Sequence, residues 1–385
     1  MAEETASILD QIIATQRVSH RENFKPRGAL ERLLELLTER ERQILWRRFG
    51  LGGEKPETLE NIGKSFQVTR ERVRQIGRLA VTKLRDNSAA QAIVSPLKQV
   101  VVEILEAEGG ASTDERLVKM LSEVGDGANA NTVRFFIGEM LAEVVTSFGG
   151  DDAVYESSWR LRTASIEAME RIINNAHEII TAGGKPISEA DLSEQLLAQQ
   201  LTSPLQGKLE DAEVVLNLLQ LSTVVKRNAF GEWGLKHWET ISPRRMNDKI
   251  YLVLKKHGQP MHFREIVRFI NEQGFDRKQA YAPTVHNELI LDDKFVLVGR
   301  GIYALKEWGY EPGVVADVIA AILKERGQPM NRDELVEAVL KQRLVKRGTV
   351  YLALTNRKIF TKQPDGRYAL AATEPSALKP PPTVI

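Results

Sequence analysis

The chain contains no cysteine. This excludes disulfides and thiolate metal sites, and it suits a reducing compartment. No apolar run approaches the ~18 residues that a membrane span needs, so no membrane partner is expected. The opening residues, MAEETASILD, lack the basic start and apolar stretch of a secretory signal. Together these absences predict a cytoplasmic protein.

Catalytic signatures are also missing. No GxxxxGK[ST], GxGxxG or GxSxG context occurs. Of the six histidines only His257 and His262 are close in sequence, and a glycine turn without a carboxylate pattern separates them. Many carboxylates, such as Glu41, Asp114, Glu189 and Asp333, stand where helices should begin, a dipole-stabilising role. No enzyme activity, metal, cofactor or small-molecule substrate is therefore expected.

What is present is a globular composition, with 42% hydrophobic and 27% charged residues. At 385 residues the chain is too long for one ordinary core, so several small domains are expected. The net charge of +1 conceals an asymmetry. Residues 27–86 carry 14 Lys+Arg against 9 Asp+Glu, residues 87–240 carry 12 against 23, and residues 241–371 carry 23 against 15. Two basic blocks that could follow phosphates flank an acidic block that phosphates would repel.

The stretch VTRERVRQIG, Val68–Gly77, sets charge and apolar residues on opposite sides of a predicted helix running from Arg70 to about Arg85, capped by Thr69. Arg70, Glu71, Arg74, Gln75 and Arg78 share one side, and Val73, Ile76, Ala80 and Leu84 the other. Upstream, TLENIGKSF reads as a shorter helix capped by Thr58, with Leu59, Ile62 and Phe66 facing inward and Gln67-Val68-Thr69 as the turn. A short helix, a tight turn and a longer amphipathic helix make a helix-turn-helix. Its second helix enters the major groove with N-terminal side chains toward base edges. Arginine suits guanine, glutamate accepts from cytosine N4, and glutamine suits adenine. Before it, LTERERQILWRRFG carries a capping box at Thr38 and Glu41, and Gly50 as a stop.

The segment from Leu30 to about Asp86, with RFGL, TLENIG, VTRERVRQI and KLR in order, resembles region 4 of the primary-type bacterial sigma factors. That resemblance implies reading of a −35-like promoter element in double-stranded DNA and docking on the β flap of RNA polymerase core. It carries over Arg70, Glu71, Arg74 and Gln75 as base readers. Arg48, Thr58, Leu59, Glu60, Arg72, Arg78 and Lys83 carry over as DNA-backbone positions. It also implies association with the nucleoid. Gly77 departs from the pattern, which usually has an acid there, and a mid-helix glycine costs about 1 kcal/mol, so a looser distal helix is expected. Only 29 residues precede Leu30, and they lack the aromatic-rich segment that captures flipped bases, so no promoter melting by this chain is expected.

Beyond residue 90 one pattern returns four times: an apolar helix, a glycine turn, a capped helix and two short strand-like runs. Aligning Thr113, Ser188, His262 and Asn331 gives offsets of 75, 74 and 69 residues, the size of a small domain. Three helices and a closing hairpin describe a winged helix. GQPMHFREIV with GIYALKEW resembles the HARE-HTH winged-helix family, found in the N-terminal domain of the RNA polymerase delta subunit and in some chromatin and restriction proteins. The fold class expected is mainly α with small β wings, a helix-turn-helix domain followed by tandem winged-helix domains. The boundaries are 1–27 (N-terminal segment), 28–90 (helix-turn-helix), 91–162, 163–240, 241–311 and 312–371 (four winged-helix modules), and 372–385 (a proline-rich, disordered tail). Fold alone does not assign DNA binding. In the basic modules Arg277, Lys278, Lys346, Arg347, Thr349, Arg357 and Lys358 are candidate secondary DNA contacts. Two other functions remain open: a polymerase-bound modulator that does not read DNA, and the DNA-targeting subunit of a restriction-modification system.

Overall fold

The computed structural model describes residues 24–150, 154–276, 278–310, 315–343 and 345–371. The N-terminal segment up to residue 23 and the proline-rich tail fall outside the described residues. The fold is mainly α with small antiparallel sheets. The chain divides into two compact units, residues 1–227 with 231–237, and residues 228–230 with 238–385.

The first unit begins with four helices, α1 (Pro26–Glu35), α2 (Glu39–Phe49), α3 (Leu59–Phe66) and α4 (Arg70–Asp86). The capping box at the head of α2 forms as its sequence requires: Thr38 Oγ1 accepts from the Glu41 amide, and the Glu41 carboxylate accepts from the Thr38 amide. Gly50 closes the helix in the left-handed conformation, φ 62°. Asn87 then caps α5 (Ser88–Ala107), which leads into the first repeat.

Each of the first three repeats has one topology. The first contains α5, β1 (Ala111–Thr113), α6 (Asp114–Val124), α7 (Ala130–Phe135), β2 (Val145–Phe148) and β3 (Ser158–Leu161). The second contains α8 (Ile166–Gly183), β4 (Ile187–Ser188), α9 (Glu189–Ala198), α10 (Ala212–Leu219), β5 (Val225–Arg227) and β6 (Glu232–Leu235). In each, the short strand between the first two helices pairs antiparallel with the last strand, giving the orders β1-β3-β2 and β4-β6-β5. The sheets thus have three strands, one more than the hairpin expected from sequence. A strand of two or three residues is too short to display the alternation that marks strands.

In the first unit the helix-turn-helix domain and the first two repeats share polar and aromatic contacts. The C-terminal carbonyls of α2 and the loop after it are satisfied from the first repeat. Asn129 Nδ2 and Thr132 Oγ1 donate to Leu51 O at 2.7 and 3.1 Å, and Asn131 Nδ2 donates to Gly50 O at 3.1 Å and Glu54 O at 3.0 Å. Phe49 meets Phe135 edge-on at 5.1 Å. Between the two repeats, Arg116 donates to both oxygens of the buried Glu108 carboxylate at 2.6 and 2.9 Å and to Asn217 Oδ1 at 3.1 Å.

The second unit holds the last two repeats. The third comprises α11 (Met246–His257), β7 (Met261–His262), α12 (Phe263–Gln273), α13 (Ala282–Leu291), β8 (Phe295–Gly299) and β9 (Ile302–Leu305), with sheet order β7-β9-β8. Its core gathers Ile250, Leu254, Ile266, Val285, Leu289 and Leu305. The fourth comprises α14 (Val315–Arg326), α15 (Arg332–Gln342), α16 (Arg347–Leu354), β10 (Phe360–Lys362) and β11 (Tyr368–Leu370), around Ile319, Leu335, Val336, Val339 and Val350. There the first strand shrinks to a single bridge, Met330 to Tyr368. Thr113, Ser188, His262 and Asn331 cap the second helix of their repeats, each accepting a backbone amide at 2.8–3.4 Å.

Candidate nucleic-acid interface

The geometry of the helix-turn-helix follows from a few residues. Ile44, Ile62 and Val73, from α2, α3 and α4, are fully buried against each other, with Leu59, Phe66, Val68 and Ile76 around them. The turn requires Gly63, because a Cβ there would lie 2.6 Å from Val68 O. Gln67 takes the left-handed conformation, φ 54°, and the Val68 amide returns to Gly63 O at 3.0 Å. Thr69 Oγ1 then accepts from the Arg72 amide at 3.2 Å and starts α4. Thr58 does the same for α3, accepting from the Asn61 amide at 3.3 Å. A pair that sequence reading missed ties α2 to the start of α3: Arg47 donates to both oxygens of Glu57 at 2.6 and 2.7 Å and to Ser65 Oγ at 3.0 Å. Hydrogen bonding from Arg47 holds the Glu57 carboxyl below its ordinary pKa.

The outward face of α4 presents Arg70, Glu71, Arg74, Gln75 and Arg78, all exposed. Three of the four expected base readers are joined. Arg74 donates to both Glu71 oxygens at 2.6 and 2.8 Å, and Gln75 Nε2 reaches Glu71 Oε1 at 3.4 Å. The Arg74 hydrogen bond lowers the Glu71 pKa. Arg72 contacts Gln75 Oε1 at 3.4 Å. Lys83 turns toward α2 and pairs with Glu41 at 3.3 Å. In α3, Glu60 pairs with Lys64 at 2.9 Å, and Leu59 lies half-buried on the Ile44–Ile62–Val73 cluster.

Arg48 lies against α4, not at the start of α3. Its guanidinium sits 5.0 Å over the Phe49 ring, and a Cβ on Gly77 would meet its Nη1 at 3.0 Å. The helix runs unbroken through Gly77, which is buried and leaves room for this arginine.

Of the secondary candidates, Arg277 lies outside the described residues. Lys278 is exposed in the turn before α13, its amide donating to Asp276 Oδ1 at 3.0 Å. Lys346, Arg347 and Thr349 are exposed at the start of α16, and Arg357 and Lys358 in the turn after it. Lys362 and Arg367, on the closing hairpin, are further exposed cations that sequence reading did not single out. Among the described residues no group of three or more His, Asp or Glu side chains could hold a metal ion, and no helix is long and apolar enough to cross a membrane.

Residues 33–86 match the family model of sigma-70, region 4. The region-4 domain so defined covers α2, α3 and α4 entire. Residues 244–308, the third repeat, match the HARE-HTH family, described as an HTH domain of ASXL and restriction endonuclease proteins. Among curated proteins, the RNA polymerase sigma factor SigA of Lactococcus lactis subsp. cremoris is 49% identical over 59 residues, 15% of this chain and 16% of that protein. SigA of a Bacillus species is 50% identical over 64 residues, 17% of each. The chloroplastic RNA polymerase sigma factor sigD of Arabidopsis thaliana is 53% identical over 57 residues, 15% of this chain and 14% of that protein. The match thus spans about a sixth of the length of these relatives. The likeness supports a sigma-related, DNA-binding role in transcription, and both matched families are non-catalytic DNA-binding folds.

Proposed function

We propose that this protein is a sequence-specific transcription factor whose region-4 domain reads a −35-like promoter element and contacts the β flap of RNA polymerase core. It acts at the nucleoid and leaves strand opening to another protein. The observation that carries the reading is the row Arg70, Glu71, Arg74 and Gln75 along the exposed face of α4. In that row an acid and an arginine hold each other in a fixed fork. A helix that only gripped phosphates would gain nothing from a carboxylate at its centre, whereas a reading helix uses it to accept from cytosine and to orient the arginine toward guanine. Arg70, Arg72 and Arg78 border the row and supply phosphate contacts. The division of the sequence into one helix-turn-helix domain and four winged-helix modules is part of the proposal, with the acidic modules between residues 91 and 240 serving as protein-docking or spacer elements.

The test is selection of duplexes from a random pool by the full chain, with and without RNA polymerase core. Enrichment of one short motif, lost in the Arg74→Ala variant, supports the reading. Capture of polymerase with no enriched motif overturns it in favour of a modulator that does not read DNA.

A further inference from the structure

The third and fourth repeats share a topology but differ in charge on the side where the third helix meets the wing. In the fourth, residues 341–371 carry eight Lys+Arg against one acid, Asp365. Six of these cations are exposed, in three places: Lys346 and Arg347 at the start of α16, Arg357 and Lys358 in the turn after it, and Lys362 and Arg367 on the β10–β11 hairpin. Asp365 reaches only Arg367, at 3.7 Å and with both side chains exposed, so it neutralises little of this surface. The outward side chains between the two ends of α16, Thr349, Leu352 and Thr355, are uncharged. At 1.5 Å per residue, Arg347 and Arg357 stand roughly 15 Å apart along the helix direction. That is close to the ~12 Å width of the B-DNA major groove, so the two ends can meet phosphates on opposite strands. The narrow major groove of A-form RNA does not offer this span.

The third repeat lacks the pattern. Its outward helix face shows Pro283, Thr284, Asn287, Ile290 and Leu291, with no cation, and residues 279–305 carry three acids against Lys294 and Arg300. Leu291 is 77% exposed. A duplex gains little from such a face.

We propose that the fourth repeat is a second, sequence-independent binding site for B-form DNA, and that the third repeat, despite its family, is not. The site stands on charges remote in sequence from α4 and does not depend on the promoter reading.

The experiment uses the full chain with α4 silenced by Arg70→Ala, Arg74→Ala and Arg78→Ala, titrated with a random-sequence DNA duplex over a range of salt. The silenced chain retains binding. Adding Lys346→Glu, Arg347→Glu, Arg357→Glu and Lys358→Glu flattens the slope of log K against log salt by about three to four. Lys278→Glu with Lys294→Glu in the third repeat leaves the slope unchanged. If the fourfold variant fails to melt cooperatively, Lys362→Glu with Arg367→Glu replaces it, with a loss of about two in slope. An RNA duplex of the same length binds more weakly. Loss of all binding on silencing α4, or an unchanged slope in the charge-reversed variants, overturns the proposal. So does equal affinity for RNA. A variant that keeps DNA binding but no longer captures polymerase core also overturns it, and makes this face a protein dock.

Discussion

Arg74 donates to both carboxylate oxygens of Glu71, through Nε at 2.8 Å and Nη2 at 2.6 Å, from one helical turn away on the exposed face of α4. The pair fixes the direction of a guanidinium that would otherwise sample many rotamers, and in water such an exposed pair contributes little to stability. Its effect lies in recognition. Arg74→Ala is expected to lower preference at one base pair by about 1–3 kcal/mol while leaving affinity for random duplex almost unchanged. Glu71→Ala removes the partner and a negative charge together. It is expected to lose the same preference while binding random DNA more tightly, because less repulsion reaches the phosphates. Competition binding with single-base variants of the selected site measures both. Equal losses on specific and random duplexes would mean that α4 only grips the backbone.

The same pair sets a pH expectation. Hydrogen bonding from Arg74 places the Glu71 pKa below its ordinary value of 4.5. A depressed carboxylate keeps its interaction at every pH above its unfolded value and loses it as pH falls through the folded one. Sequence preference should therefore stay flat from neutral pH down to about 5, and fluorescence anisotropy at a series of pH values checks it. A decline beginning near pH 6.5 would point instead to a histidine.

Gly77 departs from the expectation drawn at the sequence level. A looser distal helix was anticipated, yet α4 is continuous to Asp86 and Gly77 is buried beside Arg48. The atom that a Cβ would crowd is the far end of a flexible arginine, at 3.0 Å, so it can shift. Gly77→Ala is expected to stabilise the region-4 domain by about 0.5–1 kcal/mol through helix propensity, read as a higher denaturation midpoint. A destabilised variant would show that Arg48 is held firmly in place.

The helix-turn-helix was legible because its determinants are local. Caps at Thr38, Thr58 and Thr69 act on amides two or three residues away, and the apolar spacing of Ile62, Val73 and Ala80 declares a buried face. The four repeats were legible for the same reason, through Thr113, Ser188, His262 and Asn331. The first strands of the repeats were not, because the partners of two- and three-residue strands lie some forty residues away, as His262 to Ile302 does. The contacts of Asn129, Asn131 and Thr132 were hidden more deeply. They satisfy carbonyls at Gly50, Leu51 and Glu54, and nothing in a run such as NANTV announces a distant helix end as its target. In the candidate interface, the row on α4 could be read from periodicity, but the turning of Lys83 toward Glu41 and of Arg48 toward Gly77 depends on how α2 crosses α4.

Phe135 joins the region-4 domain to the first repeat, and it is 2% exposed. Phe135→Ala is expected to cost about 3–5 kcal/mol, because the surrounding side chains collapse only partly into the space. The loss falls on the join as well as on the repeat, so limited proteolysis should open new cleavage between residues 87 and 135 while α2, α3 and α4 remain protected. Asn131→Ala removes only polar contacts to two carbonyls and should cost about 1–2 kcal/mol. Denaturation monitored by circular dichroism separates the two values, and equal costs would argue that the join is held by its polar contacts alone.

In the third repeat, Lys249 extends from α11 into the protein with its side chain only 4% exposed and pairs with Asp276 at 2.7 Å. Asp276 is 36% exposed, so the two partners are not equivalent. Removing the aspartate leaves a buried ammonium without a counter-charge, and Asp276→Ala should cost about 2–4 kcal/mol. Removing the lysine leaves a carboxylate that water can reach, so Lys249→Met should cost under about 1 kcal/mol while filling the same space. The hydrogen bond from Lys249 places the Asp276 pKa below its ordinary 3.8, so this contribution is present above that value and is lost as pH falls through the lower, folded one. Thermal melts of the wild type and both variants at neutral and acid pH test the asymmetry. If Lys249→Met proves the more damaging substitution, the lysine stem, and not its charge, is what the repeat requires.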